Sequence, residues 1–348
     1  MNLNANRKKI ILIVSPLLAL IGIIAGFAYG VLCTPFATSA DEHIIYITKD
    51  TPADSVRTMV ESQSKGMKLR AFRYLAESKG YYQHMRQGRY DIGSGTSTLN
   101  VFRNLRNGNE SPVKVNIPYL HNIPELSRHL GKKLMADSAE FSRALTDEAL
   151  LSKYGLKRET AICLFMQETY EFYWTISGEK LVERMAKEYD HYWNDTRRKQ
   201  LNRVHEGFSR EEAITLASII EGETNNVQEK PIIAGLYINR LHKGMKLQAC
   251  PTAKYAVGDF TIRRVLKKHL ETESPYNTYL HEGLPPGPIA IPSPSSLKAV
   301  LEYEQSDYLY MCAKEDFSGT HNFAATGEEH EANAKRYQKA LDERKIKK

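Results

Sequence analysis

The hydrophobic pattern divides the chain into three stretches. From Ile10 to Cys33 no charged residue occurs. At about 1.5 Å of rise per residue, a helix of that length crosses a hydrocarbon core of about 30 Å. Three segments of one shape follow, each a short strand, a turn and an amphipathic helix. They begin at His43 (HIIYITKDTPADSVRTMVES), Gly88 (GRYDIGSGTSTLNVFRNLRNG) and Val113 (VKVNIPYLHNIPELSRHLGKKL). Strand alternation is legible in Ile44-Ile45-Tyr46-Ile47 and in Val113-Lys114-Val115-Asn116-Ile117. In the second segment Leu99, Phe102 and Leu105 recur at helical spacing, and Gly108 closes the helix. The unequal intervals between segments exclude a solenoid.

Residues 120–205 read as mainly helical. Their aromatic group, Phe165, Tyr170, Phe172, Tyr173 and Trp174, fits either a core or the wall of a sugar cleft. Beyond residue 206 the signals sharpen. Ser209 and Glu212 form a capping box, and Ala213, Leu216, Ala217 and Ile220 make a buried helical stripe that Asn225 and Asn226 end. A second helix over residues 228–243 accepts Pro231 in its first turn and stops at Gly244. A short strand at residues 246–248, a helix near Arg263–His269, a helix capped by Ser295, and paired strands at residues 308–312 and 321–324 around Ser318-Gly319 complete the pattern. The expected fold is mixed α/β (α+β). It comprises a basic tail at 1–9, a transmembrane helix at 10–33, a strand–helix region at 41–135, a helical linker at 136–205 and an α/β domain at 206–348.

Charge refines this picture. The formal charge is +7, from 48 Lys and Arg against 41 Asp and Glu. The excess lies at the ends, in Arg7, Lys8 and Lys9 and in the tail from Lys335 to Lys348. The body between them is close to neutral, so no nucleic-acid-binding face is expected. Basic residues on the leading side of the apolar run place residues 1–9 in the cytoplasm and the rest outside. A cleaved signal peptide is the rival, with small residues at Ala37, Ser39 and Ala40, but its apolar core would span only about 7–15 residues. Cys33, Cys163, Cys250 and Cys312 form no C-x-x-C pair, so buried free thiols are expected and neither a metal nor a cofactor is implied.

Glu221 lies on the shoulder of the buried stripe, one turn past Ala217. Partial desolvation there raises a carboxyl pKa, as a general acid near neutral pH requires. Gly222 is expected to leave room for a ligand. Glu223 lies on the opposite shoulder, and helix geometry does not choose between the two. Two surface carboxylates at a helix end fit the same pattern.

The stretch LASIIEGET, Leu216–Thr224, is similar to the signature of the endolytic murein transglycosylases, the YceG-like family. The likeness continues in family order through YINRLHKGMKLQACPT (Tyr237–Thr252), SPYNTY (Ser274–Tyr279), GLPPGPIA with a following proline (Gly283–Pro292), and His321, Phe323 and Thr326. GRY at Gly88–Tyr90 and the ETYEFYW segment are weaker matches. The resemblance implies a single-pass anchor in the inner membrane, with a LysM-like subdomain and an α/β catalytic domain outside. It implies cleavage of MurNAc–GlcNAc linkages within nascent peptidoglycan strands, leaving 1,6-anhydro ends and limiting strand elongation. It puts the catalytic glutamate at the first acidic residue of the E-x-E-T element, here Glu221. Glu223, Asn239, Arg240, Gln248, Asn277, Tyr279 and His321 are the candidates for binding substrate and stabilising charge at the sugar C1. The expected partners are glycan strands, the membrane and cell-wall synthases.

Two positions depart from the family: Cys250 stands where many relatives have an aspartate before Pro-Thr, and Gln167 where relatives often have proline. Pro285-Pro286-Gly287-Pro288 reads as a rigid loop shaping the cleft. Two other functions remain open. One is a hydrolase, which needs a second acid such as Glu223 or Asp259. The other is a glycan-binding scaffold without chemistry.

Overall fold

The computed structural model describes residues 3–39, 41–93, 95–204, 207–262 and 265–344, with side chains from Val14 onward. It divides into two compact units: Met1–Val113 with Glu171–Thr175, and Lys114–Tyr170 with Ile176–Lys348.

The first unit opens with α1 (Leu3–Leu32), whose Val14–Leu32 part is unburied and has the length and composition to cross a membrane. The helix starts ahead of the apolar run because helical backbone does not require apolar side chains. Next come β1 (Ile44–Ile47), α2 (Ala53–Glu61), α3 (Gly66–Ser78), β2 (Gly88–Asp91) and α4 (Thr98–Asn107). β1 pairs antiparallel with β2, Ile45 opposite Tyr90, which gives a β-α-α-β order. Ile45 and Ile47 enter the core with Val56, Val60 and Phe72, while Tyr46 points away and meets the Trp174 ring at 5.0 Å. That alternation follows from the two-residue period of a strand.

In α4 the buried positions are Thr98, Val101, Phe102 and Leu105, and Leu99 is only half-buried. The stripe is thus turned slightly from the expected one. Gly108, at φ 77°, closes the helix as expected. The chain just after α1 is packed into the first unit. Phe36 is 1% exposed, lies 5.4 Å from the Phe72 ring, donates its N–H to Thr96 O at 2.8 Å and accepts from Ser64 Oγ at 2.7 Å. The ordered core therefore reaches back before residue 41; Ala40 lies outside the described residues.

The next elements are β3 (Val113–Asn116), α5 (Ile123–Gly131), α6 (Ser138–Thr146), α7 (Glu148–Ser152), a 3-10 turn (Arg158–Leu164), β4 (Thr169–Phe172), α8 (Gly178–Tyr192) and α9 (Asp195–Val204). β3 pairs with β4 rather than with β1 or β2, so the third strand–helix segment does not extend the first unit's sheet, and the compact division falls inside the expected 41–135 region. β4 interrupts the stretch that reads as helical. The aromatics of this stretch part: Phe172, at the end of β4, is fully buried, and Tyr173, just beyond it, is 56% exposed, so they do not line one wall.

The chain continues with α10 (Arg210–Glu223), α11 (Lys230–His242), α12 (Cys250–Val257), α13 (Lys267–Leu270), α14 (Pro294–Leu301), β5 (Tyr310–Ala313), β6 (His321–Ala324) and α15 (Gly327–Glu343). The capping box forms: Ser209 Oγ accepts from Glu212 N–H at 3.1 Å, and the Glu212 carboxylate accepts from Ser209 N–H at 2.7 Å. From Ala213 to Ile220 every residue of α10 is buried, since α11, α12 and α14 all pack on it. β5 and β6 pair antiparallel, Ala313 opposite His321.

Three local expectations change. Residues 246–248 form no strand, and Gln248 adopts φ 49° with its N–H bonded to Thr278 O. The cap of α14 is Ser293, with Pro294 at the first helical position and Ser295 inside the helix. The helix expected near Arg263–His269 is described only as α13, and residues 263–264 lie outside the described residues.

Candidate active site

The last turn of α10 delivers Glu221, Gly222 and Glu223. With 3.6 residues per turn, side chains two positions apart point about 160° away from each other. The two carboxylates therefore enter different surroundings.

Glu221 Oε2 accepts from Lys230 Nζ at 2.9 Å, Ser293 Oγ at 2.5 Å, Ser293 N–H at 3.2 Å and Ser296 Oγ at 2.5 Å. Lys230 Nζ also reaches Ser293 Oγ at 3.2 Å and Ser295 Oγ at 3.1 Å. The two charged side chains are 11% and 4% exposed. Burial acts to raise the Glu221 pKa, but the Ser293 and Ser296 hydroxyls and the Lys230 ammonium outweigh it and hold the carboxyl below its ordinary range. The raised pKa expected at Glu221 is thus not found. The group is an ionised clasp joining α10, α11 and α14.

Gly222 admits the start of α12: a Cβ there would lie 2.8 Å from Pro251 Cβ, while the residue itself stays exposed. Gln167 supports the same region. Its N–H donates to Pro292 O at 3.1 Å and its Nε2 to Ile291 O at 2.7 Å, which holds the chain entering Ser293.

Glu223 faces a cavity of about 500 Å³ and is the only carboxylate on its wall among the described residues. One oxygen accepts from Tyr237 OH at 2.8 Å. Burial pushes its pKa up. Tyr237, His321, Lys254 and the Cys250 backbone pull it back only in part, so the carboxyl stays above its ordinary range. This is the protonation behaviour that the sequence assigned to Glu221.

Of the other candidates, Arg240, Gln248, Tyr279 and His321 line this cavity. Arg240 is 7% exposed, donates to Leu309 O at 2.6 Å and Leu247 O at 2.8 Å, and lies 5.4 Å over the Tyr310 ring. Tyr279 OH is 3.2 Å from Cys250 Sγ, and burial raises its pKa. His321 donates its backbone N–H to Glu229 Oε1 at 2.7 Å and sets Nδ1 3.2 Å from Glu229 Oε2. With Nδ1 on the carboxylate, Nε2 is the ring nitrogen left for a ligand.

Asn239 and Asn277 are not on the wall. Asn239 Nδ2 donates to Ser306 O at 2.6 Å and Tyr308 O at 3.0 Å. Asn277 is fully buried and clamps Leu270 O and Thr272 O, each at 2.9 Å. Both satisfy loop carbonyls. The Pro285–Pro288 loop also lies away from this wall. Asp259 is exposed, accepts from the Thr261 N–H and hydroxyl, and does not line the cavity. All four cysteines are free, and only Cys163 is buried. Tyr237 and Glu229 join the site without having been singled out, and Cys250, noted only as a departure from the family, lines the cavity. Nothing in their spacing marks them, because their partners come from other elements.

A carboxyl whose pKa burial raises, an arginine and a histidine whose Nδ1 faces a carboxylate lie around one polar cavity on a mixed α/β protein, an arrangement able to exchange protons. Residues 45–336 match the YceG-like family, and the chain belongs to that family. It is 37% identical over 171 residues to the endolytic murein transglycosylase of Bacillus subtilis, covering 48% of this chain and 45% of that one. It is 24% identical over 302 residues to the endolytic murein transglycosylase of Streptococcus pneumoniae, covering 75% and 52%. The chain thus spans about half the length of the curated relatives it matches. A crystal structure of a yceG-like protein from Listeria monocytogenes aligns with a TM-score of 0.55 at 27% identity, over 84% of this chain and 99% of that one.

Proposed function

We propose that the chain is a membrane-anchored lytic transglycosylase of peptidoglycan strands, with Glu223 rather than Glu221 as its single acid and base. The observation that carries this is the contrast at the end of α10: among the described residues Glu223 is the one carboxylate lining the cavity, and burial raises its pKa, while one oxygen of Glu221 is held by Lys230 and the serines and its pKa is lowered. Family membership and the names of the relatives supply the substrate class.

A hydrolase of glycosides ordinarily needs two carboxyl groups, one as acid and one to activate water or attack the sugar. A single wall carboxylate suits a reaction without a captured water. The Glu223 proton passes to the glycosidic oxygen between MurNAc C1 and the leaving GlcNAc, and that bond breaks. The resulting carboxylate takes the proton of the MurNAc C6 hydroxyl as its oxygen bonds to C1. The product is a 1,6-anhydro ring, and Glu223 is protonated again. Attack within one sugar avoids the entropy of holding a separate nucleophile. Polar groups facing C1 stabilise the developing charge, with Tyr279, Gln248 and His321 available for this. Arg240 adds fixed positive charge at the wall, suited to orienting substrate carbonyl or carboxylate oxygens.

In this reading α1 is a single-pass anchor, with residues 1–9 cytoplasmic and the units outside. The β-α-α-β unit serves as a LysM-like glycan-binding module, and cell-wall synthases are the protein partners. The test uses full-length protein in detergent on purified uncrosslinked strands, read by mass spectrometry. Internal cuts with 1,6-anhydro ends are expected. Ends heavier by one water, or intact strands, overturn the proposal.

A further inference from the structure

We infer that the second unit holds another saccharide site, an aromatic-walled cavity of about 300 Å³ that binds a sugar of the glycan strand away from the bond being cut. The inference rests on the proposed glycan substrate and adds a place on the protein that this proposal does not use.

His121, Tyr255 and Tyr276 line the cavity, and Phe260 and Tyr119 pack against these rings from beside it. His121 stacks on Phe260 with centroids 3.7 Å apart and planes 8° apart. Tyr255 lies 6.0 Å from Phe260 and 4.7 Å from Tyr276, and Tyr119 meets His121 edge-on at 4.9 Å. Core rings of this protein are sealed, as Phe36 and Phe72 are at 1% and 0% exposure. These rings are all part-exposed, with Tyr119 at 39%. Apolar ring faces left against water gain when a ligand covers them.

The polar groups suit a sugar. Asn122, Arg158 and Glu159 stand on the lining, the last two exposed at its rim, where ring hydroxyls and an N-acetyl amide would meet them. Glu125 fixes the His121 ring, accepting its backbone N–H at 2.8 Å and lying 3.1 Å from Nδ1. Tilted ring faces with a few polar groups suit a pyranose, whose C–H face packs on a ring while its hydroxyls meet the rim.

The position also fits one continuous strand. Cys250, at the start of α12, lines the Glu223 cavity, and Tyr255, on the same helix, lines this one. Five residues of helix separate them by about 7.5 Å along the axis. A polymer held at Glu223 therefore has a neighbouring sugar within reach of the rings. Gly287 lies so close to the Glu159 backbone that no Cβ fits between them, and this close approach brings Pro288 onto the cavity lining.

The test measures binding of purified uncrosslinked glycan strands to full-length protein in detergent carrying Glu223→Gln, which prevents turnover. Adding Tyr255→Leu or Phe260→Leu should raise the Kd about five- to tenfold, the scale of one lost aromatic contact. Tyr255→Phe keeps the ring and should bind nearly as the parent does. If Tyr255→Leu does not fold, Phe260→Leu carries the test, because Phe260 lies on the loop after α12 and holds the lining ring of His121 by stacking on it. An unchanged Kd in the folded leucine variants, equal losses for Tyr255→Phe and Tyr255→Leu, or no strand binding at all overturns the site. The outcomes separate from those of the proposed chemistry. Strands that bind through Tyr255 and Phe260 but are never cut by the wild type sink the chemistry and leave the site. Strands that are cut with anhydro ends while both leucine variants bind normally sink the site and leave the chemistry.

Discussion

Two regions of opposite character meet at the last turn of α10. On one side Glu221 has a lysine, two serine hydroxyls and a backbone amide on one carboxylate oxygen, with little contact with water. On the other, Glu223 has one tyrosine hydroxyl, the Cys250 backbone and an open cavity. Both carboxyls are desolvated, yet one pKa falls and the other rises. Burial alone therefore does not make an acid. The number and charge of donors around the group decide the sign, and a site that must hold a proton is one that leaves its carboxyl under-supplied. The well-supplied partner has another use. Removing one member of a buried ion pair strands the other, so the pair holds its helices together whether or not it adds net stability.

The sharpest way to break this contrast is to exchange the roles by mutation. Glu223→Gln should lower strand cutting by about 10²–10⁴-fold with the thermal midpoint little changed, because glutamine keeps the shape and cannot transfer the proton. The measurement is the yield of 1,6-anhydro ends per folded protein. If Glu223→Gln cuts normally and a folded Glu221→Gln protein does not, the assignment is reversed.

Glu221→Gln should instead act on stability. It leaves the Lys230 ammonium buried without its counter-charge, at a cost of about 3–5 kcal/mol. Changing Lys230→Met in the same chain should recover much of that loss, as buried pairs replaced together by neutral groups often do. The acid side of the melting curve adds a second reading. Because the Glu221 pKa is lowered from 4.5, its contribution is present above that value and fades as pH falls through the folded value. Glu221→Gln should flatten this acid fall in Tm.

A smaller effect is expected where candidate binding residues proved to be clamps. Asn277→Ala leaves the Leu270 and Thr272 carbonyls unpaired and should cost about 1–3 kcal/mol of stability. Its KM for strands should not change, and a specific rise in KM at unchanged Tm would return Asn277 to the binding site.

The mildest variant tunes the acid itself. Glu223 must be protonated to donate, so the rate should fall as pH rises through its raised pKa. Tyr237→Phe deletes a hydrogen bond that favours the ionised form, and the falling limb of kcat/KM should move to higher pH. A limb that stays put or moves down separates Glu223 from the titration. The stability sign is opposite to that of Glu221: the Glu223 contribution is present at low pH and lost as pH rises.

Much of the molecule was written locally. The apolar run became α1, Ser209 and Glu212 closed their box, and Ser318-Gly319 lies between the paired strands β5 and β6. Pro231 sits in the first turn of α11, as the pattern indicated. These features depend on spacings of two to four residues, which backbone geometry imposes wherever they occur. Five of the eight candidate site residues also reached the cavity wall, since the motif blocks that carried them form neighbouring elements.

What the sequence left open depended on partners far along the chain. Helical spacing set Glu221 and Glu223 on different faces and did not say what each face would meet. Ser293 and Ser296 arrive 72 and 75 positions after Glu221, and Asn239 finds its carbonyls 67 and 69 positions away. No local pattern marks Phe36 as core, and its burial comes from Phe72, 36 positions on. The rings of the second cavity lie between positions 119 and 276 and share no period. The sequence by itself determined the helices, caps and turns, because those energies are local. Only the tertiary structure decided which glutamate has its pKa raised and which has it lowered, because a pKa reports the whole shell of charges and donors that folding brings around one carboxyl.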